Sequence, residues 1–162
     1  MTGKLLFLEV ETSLNGPRTT PCEVRLGLVD GRILDVELYL LSDATRPGGV
    51  TSVEATLDSE REFIPVRIHD RGVLLRRDAI RYVEMLPDAP GAGENLEEGS
   101  SFDVVALQLD SGETVSGILR FPAPADSMRM SDVFNRPGRF LELATGDRLI
   151  LVAKAHLIEA SF

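Results

Sequence analysis

Two histidines, one cysteine and twenty-six carboxylates are the groups here that could do acid–base, nucleophilic or metal chemistry. Cys22 is alone, so no intramolecular disulfide can form and a cysteine-rich zinc or iron–sulfur site is excluded. It opens a β-like run and reads as a small buried hydrophobe. His69 and His156 match no metal-ligand spacing and read as solvated or hydrogen-bonded residues at strand ends. Paired carboxylate catalysis needs two acids held across one cleft with their pKa values pushed apart. Glu9 with Glu11 and Glu97 with Glu98 read instead as surface charge. Ser100, Ser111 and Ser131 have no histidine constellation to activate a hydroxyl, and the glycine-rich nucleotide loops are absent. No catalytic, cofactor-binding or metal-binding residue is therefore assigned, no cofactor is expected, and the balance leans away from an enzyme.

The remaining candidates are recognition residues. Arg67, Arg71, Arg76, Arg77 and Arg81 concentrate positive charge within fifteen positions. A guanidinium fork suits carboxylates and phosphates. Asp70 and Asp78 lie among them, so the bland expectation is a solvated strand face, and the sharper one an acidic protein partner. Val133 and Phe134, with Phe140, are expected to pack over the end of a β structure or to form an apolar binding surface.

Strands must position these side chains. Val24, Leu26 and Leu28 alternate with Glu23, Arg25 and Gly27, the period of a half-buried strand. Asp30-Gly31 supplies a hairpin turn, and Ile33 to Leu41 the return. Leu5 to Val10 is a further strand candidate that could cover a sheet edge, and residues 14–21 a turn. Val50 to Leu57 fits a strand or a short helix; Phe63 to Ile68, Val73 to Leu75 and Ile80 to Val83 close the first set. Residues 86–101 lose apolar periodicity and are rich in proline, glycine, acid and serine, the composition of a linker. The pattern then restarts at Phe102 to Leu109, turns at Ser111-Gly112 and returns over Val115 to Phe121. A short helical turn with Ser131 as its cap is expected before Pro137, after a loop at 122–127. Leu149 to Val152 and His156 to Ile158 finish the chain.

The halves superpose by sequence. An offset of 81 places Val24 on Val105, Leu26 on Leu107 and Gly31 on Gly112; an offset of 77 places Phe63 on Phe140, Asp70-Arg71 on Asp147-Arg148 and Ile80 on Leu157. The expected organisation is 1–85 as a first half, 86–101 as linker and 102–162 as a second half. Halves this small bury too little surface alone and are expected to pack on each other or on another chain.

The order of elements resembles small SH3-like and Sm-like barrels. "VALQLDSGETVSGILRF" at 105–121 is similar to the first Sm motif, and "LILVAKAHLIEA" at 149–160 loosely to the second. The resemblance implies an all-β fold of two related, partly open small barrels in tandem, with short helical turns. The second motif's turn glycine is replaced here by Ala153-Lys154-Ala155, and the RNA-contacting Asp/Asn pair has no match, so RNA binding is not carried across. The segment "SDVFNRPGRFLEL" also resembles part of an uncharacterised bacterial protein family.

The net charge is −9, with eleven basic against fifteen acidic residues over 1–90 and six against eleven over 91–162. That field repels phosphate backbones and anionic lipid, so nucleic acid is disfavoured as a partner. No signal peptide and no run of apolar residues long enough to span a bilayer is present, which gives a cytoplasmic protein off the membrane as the expectation. The function expected is a non-enzymatic protein-interaction or assembly module, homo-oligomeric or with a protein partner. The alternatives are an RNA binder of the Sm-like kind, or a small-ligand binder or enzyme with its site between the halves.

Overall fold

The computed structural model describes residues 18–46, 48–92, 101–121 and 129–162. The expected strand 5–10, Glu9 and Glu11, Glu97 and Glu98, Ser100 and the loop 122–127 lie outside the described residues.

Alternation decides the first strand. β1 (Thr19–Leu28) buries Cys22, Val24 and Leu26 and exposes Glu23 and Arg25. The Asp30-Gly31 turn, with Gly31 at φ 90°, reverses the chain into β2 (Ile33–Leu41). That φ is open to glycine at no steric cost, which is why the hairpin forms there. The ambiguous stretch after the loop is helical: α1 (Val53–Leu57) starts where the Ser52 hydroxyl accepts from the Ala55 amide at 3.0 Å. β3 (Phe63–Ile68) and β4 (Arg71–Arg76) follow, then a 3-10 turn over Arg77–Ala79 and β5 (Ile80–Met85). Residues 86–92, where the sequence reads as linker, fold back on the first half: the Gly91 carbonyl accepts from the Val53 amide, and Ala89 and Ala92 pack on its core.

The second half repeats this order as β6 (Ser101–Leu109), β7 (Thr114–Phe121), α2 (Met130–Phe134), β8 (Phe140–Thr145), β9 (Arg148–Ala153), a 3-10 turn over Lys154–His156 and β10 (Leu157–Ser161). α2 stops ahead of Pro137 as expected, but Ser131 is not its cap. Arg129 occupies that place, and Asp132 accepts from the Arg129 amide at 3.1 Å. Backbone bonds recur at the offsets read from sequence. Val29 donates to the Ala79 carbonyl and Asp110 to the His156 carbonyl; Arg77 donates to the Glu62 carbonyl and Lys154 to the Arg139 carbonyl. Even the irregularity where β5 meets β1, between Gly27 and Leu28, has its counterpart where β10 meets β6.

Among the described residues ten strands form one antiparallel sheet in the order β10-β6-β7-β8-β9-β5-β1-β2-β3-β4. This corrects the expectation of two SH3-like or Sm-like barrels. Closing a barrel would require β4 to pair with β5 and β9 with β10. After the three-residue 3-10 turns β5 joins β1 and β10 joins β6, but β4 and β5 of the first half do not pair, nor do β9 and β10 of the second. The second edge of β5 then pairs with β9 of the other half. The sheet stays open, and among the described residues its end strands β4 and β10 each have one ladder partner.

Two cores result. The first gathers Leu26, Leu38, Leu40, Leu57, Ile64 and their neighbours, with Phe140, Leu151 and Ala153 from the second half. The second gathers Val105, Leu107, Leu109, Leu143 and Val152, with Tyr82 packed against it. Successive strand residues point to opposite faces. Leu151 and Ala153 therefore face one core and Val152 the other, so the cores lie on opposite sides of the sheet where the halves meet. Among the described residues no helix is long and apolar enough to cross a membrane.

Candidate functional site

The joint between the halves is the most elaborated polar feature of the molecule. Its backbone part pairs Tyr82 with Val152, Val83 with Leu151, Glu84 with Ile150 and Met85 with Leu149. At one end Arg81 Nε donates to Asp110 Oδ1 at 2.6 Å, and His156 Nδ1 lies 2.7 Å from Asp110 Oδ2. The other imidazole nitrogen of His156 lies 2.6 Å from the Asp78 carbonyl of the first half. The Arg81 and His156 side chains are only 13% and 15% exposed, while Asp110 is 36% exposed, so the carboxylate forms the solvent rim of the cluster. The Arg81 guanidinium, and then the His156 ring, hold the Asp110 carboxyl below the usual carboxylate range. Beside β8, Arg139 donates from its amide to Asp58 Oδ1 at 3.0 Å and from its guanidinium to the Asp58 carbonyl at 2.9 Å. These are positioning contacts that set one half against the other.

The five arginines singled out from sequence go to different places. Arg67 lies with its guanidinium carbon 5.9 Å from the Tyr39 ring centroid. Arg71 is exposed at the start of β4, and Arg76 pairs with Glu62 while lying 4.9 Å from the Phe63 ring centroid. The Arg77 side chain is nearly buried and donates to the Ser59 and Arg61 carbonyls, pinning the loop after α1. Arg81 belongs to the joint. Val133 is buried in the second core and Phe134 packs against that core, half-buried. Cys22 is buried in the first core, which pushes its thiol pKa up, away from the reactive thiolate.

Sequence reasoning missed Asp110, Arg139 and Asp58; it read His156 as a solvated or hydrogen-bonded residue at a strand end, and the structure has it hydrogen-bonded just ahead of β10. A signal for two of them was present. At the repeat offsets Asp110 stands where the first half has Val29, and His156 where it has Ala79. An apolar-to-polar change between otherwise matched halves marks a position with different surroundings.

A groove of about 440 Å³ runs along the face of the first half opposite its core. Glu23, Arg25, Glu37, Arg67 and Glu84 line it from the first half and Arg148 from the second. His69 sits at its rim with φ 54°, the value of its repeat counterpart Gly146. Among the described residues no group of three or more histidine, cysteine or carboxylate side chains is placed to hold a metal ion.

The two end strands carry the other feature. Leu74 on β4 is 64% exposed, Ile158 on β10 is 67% exposed and Phe162 beyond it is 72% exposed, with Phe63 beside β4 at 43%. Single exposed apolar residues are ordinary, and Ile33, Phe102 and Val104 on inner strands are as exposed as these, but Leu74 and Ile158 lie on strands whose outer backbone donors and acceptors have no ladder partner among the described residues.

No protein-family model, curated protein or solved structure matches the chain. The resemblance to Sm-like barrels and the one drawn from "SDVFNRPGRFLEL" accordingly find no counterpart, and neither carries a function to this protein.

Proposed function

We propose that this chain is a non-enzymatic, cytoplasmic interaction module that binds protein through the edges of its sheet. The observation that carries the reading is that β4 and β10, which have no outer ladder partner among the described residues, each carry an exposed large apolar side chain. An open edge offers a ladder of directional hydrogen bonds, and Leu74 and Ile158 add the apolar contact that makes strand addition favourable. The acidic surface disfavours anionic partners and leaves short-range pairing and burial as the source of affinity. The test is site-specific photo-crosslinking in cells that express the chain. A photoreactive residue at position 74 or 158 is expected to form protein adducts that one at exposed Arg120 does not. Equal, background labelling at all three positions overturns the reading.

A small-ligand role has one observation in its favour, the groove that Arg148 and the first-half residues line together. Four carboxylates line it beside three arginines, of which Arg25 is already paired with Asp35, so its charges suit a molecule carrying both ammonium and carboxylate groups. A titration with free lysine followed by amide chemical shifts tests it: shifts confined to the groove support that role, and no shifts reject it.

A further inference from the structure

We infer that the partner for each free edge is the other free edge of a second copy: β10 of one chain pairs with β4 of the next, repeating the joint inside the chain. The inference rests on the edge-interaction reading and adds the identity and register of the partner. Its basis is the repeat. Inside one chain β5 pairs with β9. At the offset of 77, β10 is the counterpart of β5 and β4 the counterpart of β9. The molecule thus presents both sides of a joint it already makes once. Transferring the internal register pairs Glu159 with Leu75, Ala160 with Leu74, Ser161 with Val73 and Phe162 with Gly72 of the neighbouring copy.

Burial supports the transfer. In the internal joint Leu151 is 2% exposed, Met85 2% and Phe140 5%. Their counterparts Leu74, Phe162 and Phe63 are the exposed side chains of the two edges, at 64%, 72% and 43%. Each is a large apolar residue at a position that the internal joint covers. Phe140 and Leu151 fill the first core from the other half. Phe63 and Leu74 of an incoming copy would fill the matching place beside the second core.

The polar cluster changes in a consistent way. The counterparts of Arg81, Asp110 and His156 are Ile158, Val29 and Ala79, which the intermolecular joint would bring together. Ile158 and Val29 are among the exposed large apolar residues, at 67% and 39%. A charged cluster in the internal joint therefore becomes an apolar one between copies, on both sides at once. Such a contact is heterologous, so copies add in one direction and either close into a ring or extend.

The experiment uses the full-length purified chain. Light scattering on a sizing column is expected to give a multiple of the 17.7 kDa chain mass. Leu74→Lys and Ile158→Asp are each expected to return it to one chain mass, whereas Phe102→Lys, an equally exposed apolar residue on β6 outside the proposed register, leaves it unchanged. A second measurement does not depend on how well these variants fold. Chains carrying only Leu74→Cys and chains carrying only Ala160→Cys are oxidised separately and mixed. A disulfide-linked pair is expected in the mixture at least tenfold above either chain alone. Equal linking of one variant with itself would mean edges meeting like to like and overturns the inference. So does a monomer at every concentration, or a photo-adduct from position 74 that maps to residues 1–17 of the same chain. Adducts of positions 74 and 158 with other proteins, from a chain that is monomeric alone, would overturn the second copy as partner and leave the edge reading standing.

Discussion

Replacing Asp110 by alanine tests whether the polar cluster holds the halves together. The variant removes the acceptor for Arg81 Nε at 2.6 Å and the partner of His156 Nδ1 at 2.7 Å, leaving two largely buried side chains without their anion. Breaking a fully buried pair costs roughly 3–5 kcal/mol. Asp110 is 36% exposed, so solvent screening and inflowing water reduce that to about 2 kcal/mol. For a chain of this length about 2 kcal/mol corresponds to a fall of roughly 6 °C in Tm. Removing both charges behaves differently. Arg81→Ile with Asp110→Val installs the residue types found at the counterpart positions Ile158 and Val29. The Leu28 carbonyl, which Arg81 also serves, keeps its bond from the Gly31 amide. The double variant is therefore expected to recover part of the loss, because the buried guanidinium is gone with its acceptor, while His156 Nδ1 still lacks its partner. Calorimetric or circular-dichroism melts of wild type, both single variants and the double form the cycle. A single-variant shift under about 1 °C, or losses that simply add in the double, refutes the assigned role.

The same cluster sets a pH dependence. The folded-state pKa of Asp110 is lowered by Arg81 and then His156, so its contribution is present above the ordinary carboxylate value near ~4 and fades as pH falls below it. The stability gap between wild type and Asp110→Asn in urea titrations should thus be largest near neutrality and shrink below about pH 4; a gap that widens with acid contradicts this. Gly27→Ala should destabilise by about 1–3 kcal/mol, since its Cβ would lie 2.2 Å from the Tyr82 ring and push that ring off the second core; a cost under about 0.5 kcal/mol in denaturant melts would show the ring moves freely. Leu151→Ala should cost about 2–5 kcal/mol, while its counterpart Leu74→Ala in dilute chain should cost under about 0.5 kcal/mol; similar losses would mean Leu74 is already covered.

Local chemistry made much of the architecture legible in advance. The period-two runs around Val24 and Val105 became β1 and β6, and Gly31 and Gly112 took φ 90° and 89° in the hairpins they were assigned to. Ser131 was misread as a cap because α2 begins one residue before it, and Arg129 leads the chain in. The interaction residues were harder to see. Arg77 and Arg81 looked like members of a charged face, but one is held by loop carbonyls and the other by an acid 29 positions away. Charge type is visible in a sequence, whereas its partner depends on how distant strands meet.

Sequence alone determined most of the strands, the hairpin turns and the offsets of the repeat, because alternation and turn chemistry act over a few residues; it gave no strand at Phe140–Thr145 and a turn where Thr19–Pro21 open β1. It did not determine what each half does with its last strand. The same strand order can close on itself or open onto a neighbour, and the local signals of both are alike. Tertiary structure decided that β5 pairs with β9, that one sheet carries a core on each side, and that β4 and β10 remain as edges. That choice is made by long-range pairing and by burial of Phe140 and Leu151 in the core of the other half, energies to which no single stretch of sequence corresponds.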